Sequence, residues 1–293
     1  MKPLYLTLLL FTLLTGCVAA PPTTSSSEMP TDDVSLVPSA DTRVVALSSI
    51  AADIIHRLDS TKLVGIPGSQ LLNQNEALQD LPRVSEGRTQ PNLETVVALE
   101  PTLVVGATGF HDQALTSLES MGVETLSTEL DSWQSLEDLT RTLATAIGAD
   151  PDPLLQQYQQ CLPAQPAAAE ADTLVLVSRQ PLLSPNKDSW AGDLLTQFGA
   201  TNLVAEFQGQ SPIAGYVTLS PEKVLETNPE VLILVDIQGS EVDEFQSEPF
   251  WQDLNAVQNE QVHILDYYGF VNAGSIDSIT QACEQLTQIY ETN

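Results

Sequence analysis

Basic side chains are scarce in this sequence: ten Lys and Arg stand against 39 Asp and Glu, a formal charge of −29 over 293 residues with His neutral. Such a chain repels phosphate backbones and anionic headgroups, so nucleic acid is excluded as a partner, as is attachment to a membrane through basic patches. Histidine and cysteine are equally sparse, three of each. With no Cys-x-x-Cys or comparable ligand spacing, no metal site of the protein's own is assigned. A Gly-x-Ser-x-Gly elbow, a phosphate-cradling glycine loop and a His-Glu-x-x-His helix are missing too, so no catalytic residue and no cofactor is assigned, and an enzyme is not expected. Aromatic residues make up only 5% of the chain, which makes their positions informative.

What is present begins with Lys2, an apolar run over 4–14, and small residues after it. The run is too short to span a bilayer as a helix, and the arrangement is that of an export signal over residues 1–16. Leu14-Thr15-Gly16-Cys17 resembles the lipobox of bacterial lipoproteins. That resemblance implies lipid on Cys17 and tethering through it to the outer face of the cytoplasmic membrane. Residues 17–42 are rich in Pro, Thr and Ser and lack aromatics. They bury too little surface to offset the entropy of ordering and are expected to form a loose tether reaching roughly 25–30 Å. Export makes a disulfide between Cys161 and Cys283 permissible, and the sequence leaves the paired and free states both open.

The remaining body is large enough for two domains. Short apolar, β-branched runs at 43–47, 62–66, 102–106, 173–177, 231–235 and 262–265 alternate with helical patterns, which predicts an α/β fold with parallel sheets flanked by helices. Leu136, Leu139, Leu143 and Ile147 fall at helical spacing before Pro151 and Pro153. They predict one helix, or two end to end, as a spacer between lobes. The organisation expected is an N-terminal lobe over 43–134, an interlobe helix over 135–162 and a C-terminal lobe over 163–293.

An internal echo links the two lobes. Residues 92–101 (NLETVVALEP) and 220–229 (SPEKVLETNP) each begin with a good helix cap, place Glu seven residues before Pro, and run into an apolar strand. Glu94 and Glu222 then occupy the second helical position, where an acidic side chain favours the positive end of the helix dipole.

Residues 43–58 (RVVALSSIAADIIHRL), 81–106, 189–204 (SWAGDLLTQFGATNLV) and 219–235 together resemble the iron-siderophore and cobalamin solute-binding proteins of bacterial ABC uptake transporters. The resemblance spans nearly all of 43–293. It implies two α/β lobes joined by one long helix, a ligand cleft between them, and an exported monomer that delivers its cargo to the transmembrane permease. It also implies that Glu94 and Glu222, one per lobe, are permease-docking residues. The cargo implied is an iron chelate, a ferric siderophore or a similar Fe(III) complex, with cobalamin or haem as the alternative and a non-transport sensor as a further one.

In parallel α/β sheets a ligand lies beyond the carboxyl ends of the strands. The loops there are 67–70, 85–90, 107–112, 179–190, 207–216 and 266–272, and they hold Phe110, Trp190, Tyr216 and Tyr267 as candidate ring or apolar contacts. They also hold Arg88, Arg179 and Lys187, three of the ten basic residues, whose forks and charge suit an anionic chelate. His111 is the one histidine in these loops and the candidate haem or cobalt ligand. Direct iron binding by Tyr216, Tyr267 and Tyr268 is disfavoured, because adjacent side chains on an extended chain face opposite ways.

Overall fold

All six apolar runs expected as strands form strands, arranged in two parallel sheets. The computed structural model describes residues 41–87, 89–164, 171–208, 211, 213–236 and 241–291. The export signal, Cys17, most of the tether and Arg88 lie outside the described residues.

The first sheet is built from β1 (Val44–Ala46), β2 (Leu63–Gly65), β3 (Leu103–Ala107) and β4 (Glu124–Thr128) in the order β2-β1-β3-β4, all parallel. Helices α1 (Ser49–Asp59), α2 (Gln70–Asn73), α3 (Leu93–Ala98) and α4 (Asp112–Ser120) connect and flank these strands. β4 has no apolar run because it is an edge strand with no fully buried residue.

Of the two forms expected for the link between lobes, one helix or two end to end, the second is found, in place of the one long helix that the resemblance implied. The two helices are α5 (Trp133–Ile147) and α6 (Asp152–Cys161). Ser132 and Ser135 form a reciprocal capping box at the start of α5. Gly148 ends it in the left-handed region (φ 72°), a conformation nearly free of cost only for glycine. Pro151 and Pro153 then allow a new start but not a continuation, since a helix interior needs the N–H they lack.

The second half holds β5 (Asp172–Leu176), β6 (Ser178–Arg179), β7 (Leu182–Pro185), β8 (Thr201–Asn202), β9 (Tyr216–Leu219), β10 (Val231–Asp236) and β11 (Val262–Asp266). Its helices are α7 (Trp190–Gln197), α8 (Pro221–Thr227), α9 (Glu241–Gln246), α10 (Asn255–Gln258), the turn α11 (Tyr267–Phe270) and α12 (Ile276–Glu291). The parallel order is β11-β10-β5-β8, and β6-β7-β9 form a separate antiparallel sheet.

Alternation along the central strands explains the burial. Val44 and Ala46, Val175 and Val177, and Val231, Ile233 and Val235 face one core that also contains Ile54, Leu136, Leu143, Tyr158, Leu194 and Leu286. The intervening Val45 and Leu47 pack outward with Leu115 and Leu118, and Leu174, Leu176, Leu232 and Leu234 pack with Phe245, Phe250 and Trp251. Strands covered on both faces read as continuous apolar runs, as these do.

The first core crosses from one sheet to the other through α1, α5, α6, α7 and α12, so packed helices rather than a bare linker join the lobes. Polar ties reinforce this. Buried Asp53 of α1 accepts from the Ile276 N–H at the start of α12 (2.7 Å) and pairs with Arg57 (3.1 Å), which also reaches Asp277 (2.8 Å). Trp133 N–H donates to Asp193 of α7 (2.7 Å). Cys161 and Cys283 form a disulfide between α6 and α12, Cα to Cα 5.6 Å, which settles the state left open by the sequence.

The echo is structural as well as sequential. Asn92 and Ser220 each accept from the backbone N–H three residues on, Thr95 and Lys223. Val96 and Val224 are the buried residues of the two helices. Glu100 (φ 48°) and Asn228 (φ 41°) both adopt left-handed backbone just before Pro. Each helix then feeds a strand paired directly to the first strand of its sheet, β3 on β1 and β10 on β5.

Candidate ligand-binding cleft

In the first sheet the strand order reverses between β1 and β3, and in such sheets the crevice at this switch point receives ligand. The residues just after those strands, Leu47, Ser48 and Ser49, and Phe110 and His111, line a cavity of about 990 Å³. Pro67 to Gln70, Ser85 to Gly87, Thr89, Tyr268 and Asn272 contribute to the same cavity. A neighbouring one of about 460 Å³ shares Ser48, Ser49, Asn272 and Gly274 with it and adds Trp190, Ile213, Tyr216 and Tyr267. All six predicted loops therefore contribute to one continuous cleft between lobes. The loop after β1 was overlooked, although the rule about strand ends points to it.

The larger cavity is the polar half. Arg83, also overlooked, lies on the segment that extends the edge of β2: Val84 N–H donates to Ile66 O (2.9 Å) and Ile66 N–H to Pro82 O (3.0 Å). Its Nη2 donates to Asn73 Oδ1 (3.0 Å), while its Nη1 is buried without a partner. Burial also lowers the pKa of this guanidinium. Ser48 stands at the N-cap of α1, yet its hydroxyl makes no capping bond and is buried without a partner. The first turn of α1 carries no acidic residue. Arg83, Ser48 and the positive end of a helix with no side-chain cap thus line one cavity, an arrangement that suits an anionic group. At the other end a third cavity, of about 570 Å³, shares Gln70, Leu71 and Tyr268 and carries the carboxylates of Asp53, Glu76, Asp266 and Asp277.

His111 is buried, and its Nδ1 accepts the Ala107 N–H (2.9 Å), so in the neutral ring the proton sits on Nε2. Burial pushes its pKa below the ordinary 6.5 against the opposing pull of Asp112. With one nitrogen occupied and the other protonated, the ring offers no lone pair to a haem or cobalt centre. It is a fixed polar wall. Because the folded ring resists protonation, the unfolded chain binds the extra proton first, and stability is lost as pH falls through 6.5. The melting temperature should therefore drop between pH 7 and pH 5.5. His111→Gln should flatten that slope, leaving the part due to His263, whose pKa burial also lowers; an unchanged slope would remove the role given to His111.

The smaller cavity is the aromatic half. Trp190 is buried, stacks on Trp133 (centroids 5.9 Å, 20° between planes) and donates from Nε1 to the Gly269 carbonyl (2.9 Å). Gly269 is required there: its φ is 90°, and a Cβ would sit 1.9 Å from Ser278 O. Burial pushes the Tyr216 phenol up, so it stays protonated and acts as a hydrogen-bond donor rather than a phenolate. Tyr267 and Tyr268 are not on an extended strand. They occupy the turn α11, ring centroids 5.3 Å apart.

Of the basic candidates, Arg179 is held by Glu244 (3.2 Å) and Glu248 (3.0 Å), and Lys187 by Glu206 (2.6 Å). Neither is among the residues lining the cleft. These are the surface salt bridges that two isolated cations make in an acidic chain, and among the described residues the cation lining the cleft is Arg83. Phe110 is half exposed at the rim. Among the described residues no group of three or more His, Cys, Asp or Glu is placed to hold a metal ion, and no helix is long and apolar enough to cross a membrane.

Two parallel sheets, a helical link and a cleft at the switch point set the architecture, and a profile of periplasmic binding proteins matches residues 44–268. The chain belongs to the periplasmic binding protein family. The Fe(3+)-citrate-binding protein YfmC of Bacillus subtilis (strain 168) is 26% identical over 262 residues, covering 85% of this chain and 81% of that protein. The Fe(3+) dicitrate-binding periplasmic protein FecB of Escherichia coli (strain K12) is 25% identical over 240 residues, 76% of each. An ABC transporter substrate-binding protein from Listeria monocytogenes EGD-e has the same fold, with a TM-score of 0.71 at 19% identity over 86% of this chain and 99% of that one. A periplasmic binding protein works outside the cytoplasm, where the Cys161–Cys283 disulfide persists.

Proposed function

We propose that this periplasmic binding protein is the solute-binding subunit of an ABC uptake transporter and captures a ferric chelate bearing carboxylate or similar anionic oxygens, without catalysing a reaction on it. The observation that carries this reading is Arg83 in the lining of a cavity of about 990 Å³, its buried Nη1 without a partner, in a protein of net charge −29. A buried donor left unmatched costs about 1–3 kcal/mol, and a ligand oxygen recovers that cost. The carboxylate of an iron citrate takes a fork of this kind, while Trp190, Tyr216 and Phe110 cover its less polar faces. Two curated relatives named for ferric citrate support the same chemistry. Cys17, within its lipobox, carries the lipid that holds the mature protein at the outer face of the cytoplasmic membrane, and Glu94 and Glu222 meet the permease. The protein works as a monomer.

The test is a titration of the soluble fragment beginning after the tether with ferric citrate, following Trp emission. Trp190 lines the cleft and should quench on binding, and at a hundredfold excess over Kd the stabilisation should reach about 2.7 kcal/mol. If ferric citrate changes neither emission nor melting temperature while haem or cobalamin changes both, the iron-citrate reading is lost and the family alternative replaces it.

A further inference from the structure

Six large apolar side chains are exposed among the described residues: Val97, Phe110, Met121, Ile213, Leu225 and Ile264. Phe110 and Ile213 line the cleft. Val97 and Leu225, 40% and 37% exposed, lie one on each echo helix, and each stands three residues after that helix's exposed glutamate, Glu94 or Glu222. Residues three apart are neighbours on a helix surface. Helices α3 and α8 therefore present the same two-point motif, a carboxylate beside an unburied aliphatic group. Their buried valines, capping contacts and left-handed exits coincide as well.

A single partly exposed aliphatic side chain is ordinary on a protein surface, but the same carboxylate and aliphatic pair repeated at equivalent places in both lobes of a strongly acidic protein points to a shared use. Helix stabilisation explains the glutamates alone: Glu222 is held below the usual carboxylate range by its own backbone N–H and Ser220, and it does not account for the exposed aliphatic side chains of Leu225 and Val97. Charge alone steers and orients a partner but contributes little affinity at an exposed rim, whereas a small apolar contact beside the charge supplies what the charge does not.

We propose that Val97 and Leu225 are the apolar halves of two equivalent docking points, and that their partner is the membrane-spanning permease, offering each point a basic side chain beside an apolar pocket. The proposal rests on the transport reading above and adds to its two glutamates a second chemical requirement, met twice on the partner. Charge complementarity selects the occupant: a second copy of this chain, itself acidic at both points, would set carboxylate against carboxylate.

Photocrosslinking of the full-length protein, in the cell that makes it and its transporter, tests the idea. p-Benzoylphenylalanine placed singly at position 97 and at position 225 should join the protein to a membrane-spanning subunit, identified by mass spectrometry, at both positions. Crosslinks to another copy of this chain, to a soluble protein, or to nothing overturn the proposal. With the photoprobe moved to exposed Ala98, Val97→Ser with Leu225→Ser should cut the crosslink yield about tenfold while ferric citrate affinity and melting temperature stay unchanged. If Glu94→Gln with Glu222→Gln cuts the yield and the serine pair does not, the apolar contact is refuted and the glutamate docking stands. If neither pair changes it, the docking reading fails with it.

Discussion

Replacing Cys161 and Cys283 together by Ser should lower the stability of the folded body by about 4–5 kcal/mol and its melting temperature by roughly 10–15 °C. The size follows from what the bridge constrains. It joins positions 122 residues apart, and closing so long a loop removes a large share of the unfolded chain's freedom. It also fastens α6, the second half of the interlobe connection, to α12, the last helix of the chain. Cys283 is buried in the core that both lobes share, so the serine there also leaves a hydroxyl in apolar surroundings. Neither cysteine lines the cleft, so ferric citrate affinity measured well below the new midpoint should hardly change. Thermal unfolding of the double variant, beside the parent with and without reductant, decides the matter. A midpoint within two degrees of the parent would mean that helix packing alone holds the lobes.

Local pattern revealed as much of this molecule as local physics determines. Val44-Val45-Ala46 and Val231 to Val235 could be recognised because a strand covered on both faces must be apolar throughout. The echo of α3 and α8 could be recognised because caps, Pro and the strand that follows are all short-range signals. The other edge strands and the antiparallel pieces could not, although the edges β2 and β11 could. β4 is half exposed, β8 is two residues long, and β7 ends in Pro185, so none carries a run that stands out. The division of α5 from α6 was present in Gly148 and the prolines, but choosing two helices over one needed the left-handed backbone at Gly148.

The cleft was legible as a set of loops and not as a set of contacts. Trp190 and Tyr216 sit in the aromatic half, as their place after strands suggests. Arg179 and Lys187 sit in loops of the right kind, but carboxylates 65, 69 and 19 residues away claim them, and no local spacing announces such partners. Arg83 was missed for the converse reason. It lies just before a predicted loop, and only the bridge between Ile66 and Arg83 brings it to the cavity.

Arg83→Met should produce two opposite effects at once, a weaker grip on ferric citrate and a more stable empty protein. The Nη1 of Arg83 is buried without a protein partner, a cost of about 1–3 kcal/mol that a thioether of similar reach does not incur. The bond that Nη2 makes is to Asn73, an exposed side chain that water can satisfy in its place. The melting temperature of the empty variant should therefore rise by a few degrees. Affinity should fall about 10–100-fold, the worth of one or two charge-assisted hydrogen bonds to a ligand carboxylate. Arg83→Lys should lie between, since it keeps the charge and loses the fork. Residues shaped only by folding lose stability when replaced. A residue held at a folding cost for the sake of a ligand gains stability and loses binding, and calorimetry on the empty and loaded protein measures both signs. Unchanged affinity in the methionine variant, or a steep fall in its melting temperature, would show that Arg83 is part of the scaffold and that the anion is held elsewhere.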